Sequence, residues 1–161
     1  MEKTKCKGVN MRELRVLIAG CGDIGTHLGL RLSAAGAQVF GLRRTINQLP
    51  DSIHGIAADL GDPDTLNNLP ACDYLFYTAA AKSRDPEVYH RTYVDGLRNL
   101  LAAVAEESLS FMVMFSSSTG RFGRTGQVDY AVANEILNKI AQQEAGQRAD
   151  CRVLSLNWGP W

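Results

Sequence analysis

The clearest chemical signal is a tyrosine and an asparagine near the C-terminal end of the chain. In the stretch GQVDYAVANEILNK, Asn134 follows Tyr130 by four residues, so both side chains lie on one face of a predicted helix. A phenol in such a position is suited to donate a proton to a substrate carbonyl. Because an unperturbed phenol has a pKa of about 10, efficient transfer at neutral pH needs a nearby cation. Efficient proton donation by Tyr130 therefore requires a positively charged residue close to it.

Three glycines form a second signal, directly after the first apolar run. The segment VLIAGCGDIGTHL contains Gly20, Gly22 and Gly25 in the spacing GxGxxG, between a predicted strand and a predicted helix. The first glycine permits a tight turn, the second lets a pyrophosphate approach the backbone, and the third lets helix and strand pack closely. The helix N-terminus adds free N–H groups for the phosphates. This context predicts a dinucleotide site, the alternative being a tight turn that binds nothing.

The ends of the next three predicted strands bear on the choice of cofactor. Arg43 and Arg44, in GLRRT, suit the 2′-phosphate of NADP(H) better than the 2′-hydroxyl of NAD(H), unless they are solvated surface arginines. Asp59, in AADLGD, is either an acceptor for the adenine amine or a turn residue. Ala79 and Ala80 end the fourth predicted strand and leave room for a cofactor, although close packing explains them nearly as well. The candidate cofactor residues are Gly20, Gly22, Asp23, Ile24, Gly25, Arg43, Arg44, Asp59, Leu60, Ala79 and Ala80.

Six apolar strands alternating with helices must position these residues. The predicted strands span 14–20, 37–44, 52–60, 72–81, 110–118 and 151–159, and the predicted helices span 23–36, 62–69, 86–107 and 128–146. This alternation predicts a parallel sheet covered on both faces, and right-handed crossovers favour the strand order 3-2-1-4-5-6. The fold class is therefore α/β, a three-layer Rossmann fold with a doubly wound sheet. It forms a single domain over 13–161, after a disordered leader at 1–12.

Composition excludes several classes of protein. The 161 residues carry 17 Lys and Arg against 17 Asp and Glu, so no charge excess suggests a nucleic-acid or membrane surface. The four cysteines are scattered without metal-ligand spacing, which predicts reduced thiols in a cytoplasmic protein. They are Cys6, Cys21, Cys72 and Cys151.

Together these motifs resemble the short-chain dehydrogenase/reductase superfamily, in two of its branches. Residues 14–105, with GCGDIG, GLRR, AADLGD and YVDGLRNLLAA, resemble extended reductases of the nucleotide-sugar epimerase/dehydratase kind. Residues 111–161, with FSSSTGRFGRTGQVDYAVAN and NWGPW, resemble the ketoreductase domains of polyketide and polyunsaturated fatty-acid synthases. The contrast predicts a junction near 106–112 and a chimeric origin, with a natural divergent member as the alternative.

The resemblance implies carbonyl reduction by hydride transfer from NADPH, and it implies roles for three residues. Ser117, thirteen positions before the tyrosine, would hydrogen-bond the substrate carbonyl, and Tyr130 would donate the proton. Asn134 stands where ketoreductases carry asparagine and most of the superfamily carries lysine. The serines of FSSST also suit a capping role at the strand end. A scaffold that binds nucleotide cofactor without turnover is the alternative function.

The expected catalytic lysine is missing from this pattern. Ketoreductases carry it just before VDGLRNL, where this chain has Tyr93. Lys82 and Lys139 are the remaining candidates, and neither stands at a family position; helical spacing directs Lys139 away from Tyr130. Whether the chain is an active enzyme therefore stays open at this level.

Two further expectations concern what surrounds the domain. The family places its substrate pocket largely after NWGPW, so the sequence predicts that a substrate-binding C-terminal region is lacking. Related proteins dimerise through two long helices, here 86–107 and 128–146. Outward-facing apolar residues such as Leu97 and Ile136 would contact the second copy of a homodimer.

Overall fold

Six parallel strands form one sheet in the computed structural model, which describes residues 10–104 and 108–159. The strands are paired in the order β3-β2-β1-β4-β5-β6, so the predicted doubly wound topology is confirmed. Every pair is parallel, from β3 against β2 to β5 against β6. The strands are β1 (Arg15–Ala19), β2 (Gln38–Arg43), β3 (His54–Ala57), β4 (Tyr74–Tyr77), β5 (Phe111–Ser117) and β6 (Arg152–Trp158).

Helices cover the two faces of this sheet. The described residues also contain the 3-10 turns Met11–Glu13 and Pro63–Leu66 and the π turn Arg91–Asp95. The π turn joins two α-helices, so residues 86 to 103 are helical throughout but do not form one α-helix. The α-helices are α1 (Asp23–Ala34), α2 (Pro86–His90), α3 (Gly96–Ala103), α4 (Ser118–Phe122) and α5 (Val128–Gln147).

The core lies on both sides of the sheet, as the uninterrupted apolar strands predicted. Along β1, Val16 and Ile18 pack with the α1 side of the molecule, while Leu17 and Ala19 pack with the α3 and α5 side. All four are completely buried. Successive side chains of a strand point to opposite faces, so a strand buried on both faces must be apolar at every position.

The segment from residue 86 to residue 103 departs from the single α-helix predicted over 86–107. It begins as expected, because Asp85 accepts a hydrogen bond from the backbone N–H of Glu87 and a proline occupies the first turn. The π turn then interrupts it, and α3 ends at Ala103, before an extended Val104. Residues 105–107 lie outside the described part of the chain, as does part of the predicted junction.

Other features also differ from the sequence-based expectation. β4 ends at Tyr77 rather than at residue 81, and α4 was not predicted because it spans only five residues. Leu97, expected to face outward, is completely buried in the core, so it does not contact a second copy. Residues 1–9 of the predicted leader lie outside the described residues, and its end belongs to the turn Met11–Glu13.

Two further observations concern the described residues only. No helix among them is long and apolar enough to cross a bilayer. The thiols of Cys21, Cys72 and Cys151 are buried and unpaired. Burial raises the pKa of the Cys72 thiol to about 11, which makes it a poor nucleophile at neutral pH.

Candidate functional site

The turn after β1 is built around a glycine that no other residue could replace without strain. Gly20 has φ +85°, and a Cβ placed on it would lie 2.3 Å from the Cα of Ala79. The N–H groups of Gly20 and Cys21 both donate to the carbonyl of Leu42, each at 3.0 Å. The turn is therefore fixed between the ends of β2 and β4.

The other two glycines differ in what surrounds them. A Cβ on Gly25 would lie 2.8 Å from Oγ1 of Thr78 and 3.0 Å from Cγ2 of Ile18, so this glycine lets α1 pack against the sheet. A Cβ on Gly22 would meet only a carbonyl oxygen at 3.9 Å. Gly22 precedes the first turn of α1, and no side chain caps that turn. Open space therefore lies at the free N–H groups of a helix N-terminus.

Asp23 and Ile24 form the start of α1, beside this space. Both are exposed, and Ile24 keeps 44% of its surface accessible. The carbonyl of Asp23 accepts a hydrogen bond of 2.8 Å from Nδ1 of His27.

Arg43 lies close to the glycine turn, as its position at the end of β2 suggested. Burial raises the pKa of the Cys21 thiol, whereas the hydrogen bond with Thr26 and the positive charge of Arg43 act in the opposite direction. The guanidinium is therefore near enough to influence a residue between Gly20 and Gly22. Arg44 follows immediately and is exposed. Of the two arginines, Arg43 is therefore the one whose charge acts on the glycine turn.

Asp59, after β3, is held by a residue that the sequence did not single out. Its Oδ2 accepts a hydrogen bond of 3.0 Å from Nη2 of Arg91, and its Oδ1 accepts one of 2.9 Å from the N–H of Gly61. Leu60 is fixed as well, because its carbonyl accepts a hydrogen bond from Asn99. Arg91 comes from the π turn, and no sequence signal marked that turn. Both oxygens of Asp59 have partners, yet a carboxylate retains further lone pairs for an incoming donor.

Ala79 and Ala80 lie in the loop after β4 rather than at its end. The hydroxyl of Thr78 turns the chain out of the sheet by bonding to the carbonyls of Ala19 and Gly20. The backbone of Ala79 then packs against Gly20, while Ala80 is exposed. Thr78 was missed by sequence reasoning, although its place between two strand ends and two alanines offered a signal.

The end of β5 is tied to α5 by hydrogen bonds around a buried asparagine. Ser116 donates to the carbonyl of Asn134 at 3.0 Å, and the side-chain amide of Asn134 donates to the carbonyl of Tyr130 at 2.8 Å. Ser117 accepts a hydrogen bond from the N–H of Thr119 at 3.2 Å and so caps α4. The capping role that the sequence left open for a serine of FSSST is therefore occupied by Ser117. Its own hydroxyl proton remains available to an acceptor.

Tyr130 belongs to a cluster of three tyrosines. Its ring lies 5.7 Å from the ring of Tyr89 and 6.4 Å from that of Tyr93, measured between centroids. Tyr93 is buried, and its hydroxyl accepts a hydrogen bond from the N–H of Ala81. Burial raises the pKa of Tyr93, and its two tyrosine neighbours act in the same direction. A neutral hydroxyl therefore stands where the resemblance places an ammonium.

The two lysines considered as substitutes do not contact Tyr130. Lys139 bonds with Glu135 at 3.4 Å, four residues away along α5, in agreement with its expected direction. Lys82 lies in the loop after Ala81 and makes no hydrogen bond or ion pair within the described part of the chain. Arg84 shares a pocket with Tyr130: both line a space of about 170 Å³ between the segment before α2 and the start of α5.

The fold and the glycine turn define a Rossmann-type domain of the short-chain dehydrogenase class. A short-chain dehydrogenase from Burkholderia cenocepacia J2315, solved in complex with NADP, superposes with a TM-score of 0.84. The match covers 94% of this chain and 74% of that one, at 15% identity, so the likeness concerns the fold. The KR domain family matches residues 78–161, which is more than half of the sequence. The chain belongs to the KR domain family.

Two proteins with similar sequences are synthases much longer than this chain. A polyunsaturated fatty acid synthase component from Thraustochytrium is 44% identical over 75 residues, covering 47% of this chain. Polyketide synthase GfsA from Streptomyces halstedii is 33% identical over 149 residues, covering 80% of this chain. The chain spans only 3% and 2% of the length of these two relatives.

The second alignment bears on the predicted junction. Because it covers 80% of 161 residues, about 32 residues are left out, and it must cross 106–112. One relative therefore matches on both sides of that segment, and the comparisons give no support to a chimeric origin.

Proposed function

We propose that this domain binds NADPH at the glycine turn and reduces a carbonyl compound to an alcohol. The observation that carries the proposal is the contrast among the three glycines. Gly20 and Gly25 are pressed against Ala79 and Thr78, whereas Gly22 faces open space at the N-terminus of α1. A pyrophosphate needs this combination of a rigid turn, a bare backbone and free N–H donors.

The charges around this space favour NADP(H) over NAD(H). Arg43 acts electrostatically on the glycine turn, and Arg44 adds a second guanidinium suited to the 2′-phosphate. No acidic residue stands beside them at the end of β2. Asp59 and the loop fixed by Arg91 would take the adenine. When bound, the reduced nicotinamide supplies the hydride.

The chain's own residues would handle the carbonyl oxygen and its proton. Ser117 can donate its hydroxyl proton to the carbonyl, because its oxygen already accepts from Thr119. The hydroxyl of Tyr130 has no hydrogen-bond partner among the residues described, so it is free to give its proton to the oxygen as the alcohol forms. Asn134 fixes the first turn of α5 through the carbonyl of Tyr130. Solvent would then return a proton to the phenolate.

One observation favours a second candidate, cofactor binding without useful turnover. Tyr93 presents a neutral, buried hydroxyl beside Tyr130 in place of an ammonium. Nothing at this position stabilises a phenolate left after proton transfer, so the chemical step would be slow.

Two measurements on purified protein test these candidates. We expect NADPH fluorescence to report binding, and absorbance at the reduced nicotinamide band to fall when simple ketones are added. Tyr130→Phe should abolish NADPH oxidation while leaving NADPH affinity unchanged. Tyr74→Phe is the matched control, because Tyr74 packs against Phe111 at the start of β4. Binding without oxidation selects the second candidate, and absence of NADPH binding refutes both.

A further inference from the structure

The loop after β3, which would receive the adenine, is held at its backbone and at one carboxylate. The hydroxyl of Thr65 bonds with the N–H and with the carbonyl of Asp59, each at 3.0 Å, and so fixes the main chain. The side chain of Asp59 is fixed separately, because Oδ1 accepts from the N–H of Gly61 and Oδ2 accepts from Arg91. The bond from Arg91 is the one that comes from a distant segment, 32 positions along the chain.

Arg91 reaches Asp59 by lying across a glycine. A Cβ on Gly61 would come within 2.1 Å of Nε and 2.9 Å of Cζ of Arg91, so the guanidinium rests against the bare backbone of Gly61. The side chain of Asp59 keeps 32% of its surface accessible, and its oxygens retain lone pairs beyond those already used. An incoming donor can therefore reach a carboxylate whose direction is already set.

We propose that Arg91 is a positioning residue for the adenine, which holds the carboxylate of Asp59 in the orientation that accepts the exocyclic amine. This inference rests on the proposed binding of NADPH, and it adds the residue that makes the site selective for the base. A carboxylate fixed at both oxygens presents its remaining lone pairs in a constant direction, and such pre-organisation favours a ligand with a donor at that place. Adenine has a donor there, whereas hypoxanthine has a carbonyl oxygen, which the carboxylate repels.

Two simpler roles for Arg91 make a different prediction. A guanidinium that acted only through its charge would attract the phosphates of any dinucleotide, whatever its base. A purely structural role would weaken all dinucleotides together when the ion pair is lost. The ratio of the affinities for the two bases therefore separates positioning from both of these roles.

Fluorescence titrations with NADPH and with its hypoxanthine analogue, deamino-NADPH, measure that ratio, since both carry the same reduced nicotinamide. We expect the wild type to bind NADPH about tenfold more tightly, because hydrogen bonds to a charged acceptor are the stronger kind. Arg91→Gln should reduce the preference to about threefold or less. Gly61→Ala should do the same, because its methyl group displaces the guanidinium and leaves the charge in the chain. Arg98→Gln, on the exposed face of α3, is the matched control and should keep the preference.

The outcomes separate this inference from the proposed function. If the wild type binds neither cofactor, the proposed function fails and the inference fails with it. If it binds both equally, or if the preference for NADPH survives in either Arg91→Gln or Gly61→Ala, the positioning role alone is wrong. In an Asp59→Asn background, Arg91→Gln should leave the ratio unchanged, since the carboxylate that it positions is gone, and a further loss there would also overturn the assignment. Melting curves of all variants verify that they fold.

Discussion

The two ends of the candidate site differ in what builds them. At the glycine turn, the decisive features are backbone features: a positive φ at Gly20, a helix N-terminus without a cap, and open space at Gly22. Around Tyr130, the decisive features are side chains from three separate segments, with Tyr89 and Tyr93 on the helix that starts at residue 86 and Ser117 at the end of β5.

This difference explains how each end responds to substitution. A phosphate site made of backbone groups needs only a few glycines at the right spacing and a helix that begins beside them. Sequence changes elsewhere in the chain therefore leave it intact. A proton-transfer site needs a charge at one particular place, and a single substitution there removes it. In this chain the first end has every expected glycine, whereas the second has a tyrosine at the position of the expected lysine.

The largest expected effect comes from restoring the cation at position 93. An ammonium that lowered the pKa of a phenol from about 10 to about 7 would supply about 4 kcal/mol, or up to about a thousandfold in rate. We therefore expect Tyr93→Lys to accelerate NADPH oxidation with ketones by up to about a thousandfold, measured as kcat. Tyr93→Phe is the control that removes the hydroxyl without adding charge. Equal rates in the parent and Tyr93→Lys would show that the two ends do not differ as described.

A bulky side chain at Gly22 would block the proposed pyrophosphate site without disrupting the fold. Its φ of −86° lies outside the left-handed region that favours glycine, and a Cβ there meets no atom beyond the two neighbouring residues closer than 3.9 Å. We expect Gly22→Val to keep the wild-type melting temperature while weakening NADPH about ten- to hundredfold, since overpacking costs about 1–3 kcal/mol.

Gly20→Ala is the contrasting variant, because it should lower the free energy of unfolding by more than about 1 kcal/mol. Unchanged NADPH affinity in Gly22→Val would contradict the placement of the pyrophosphate.

Removal of the two arginines at the end of β2 tests the part of the site that would hold the 2′-phosphate. The double variant Arg43→Ala, Arg44→Ala should lose about tenfold or more in NADPH affinity while NADH affinity stays nearly constant, because only NADPH carries the 2′-phosphate. Titration of both cofactors by fluorescence measures the ratio. Equal losses for NADPH and NADH would refute the 2′-phosphate assignment, and Arg98→Ala should change neither.

The smallest expected effect lies at the opposite end of the strands, where the central strands β1 and β4 begin, and it gives a baseline for stability. Asp73 accepts three hydrogen bonds from Arg15, at 2.8, 3.0 and 3.3 Å, and the side-chain bonds hold the pKa of Asp73 below its ordinary value. A carboxyl group whose pKa is lowered by folding stabilises the folded protein at pH values above its unfolded-state pKa of about 3.9. This stabilisation is lost as the pH falls through the folded-state pKa.

The difference in melting temperature between the wild type and Asp73→Asn should therefore be small at pH 7 and vanish in acid. A difference that grows on acidification would show that the ion pair does not stabilise the fold. Asp73→Asn should keep the wild-type NADPH affinity, since Asp73 lies away from both ends of the site.

The predicted strands agree best with the structure where a strand is buried on both faces. Leu17, Val16 and Ile18 show why: a strand covered on both faces is apolar at consecutive positions, and that run is visible in the sequence. The end of β4 was misplaced because the alanines after Tyr77 are apolar too, and only the hydrogen bonds of Thr78 turn the chain away. The π turn left no signal, because the residues of Arg91–Asp95 are compatible with an ordinary helix.

The sequence by itself determined the strand order, the glycine turn and the identity of the residue at the lysine position. Each depends on local residue types or on a short periodic pattern, and such features can be recognised in the sequence. The tertiary structure decided which side chains meet. Arg91 reaches Asp59 across 32 positions, and Arg84 reaches the pocket of Tyr130 across 46. Such pairs arise only when helices dock on the finished sheet, because side-chain position then depends on how distant segments pack.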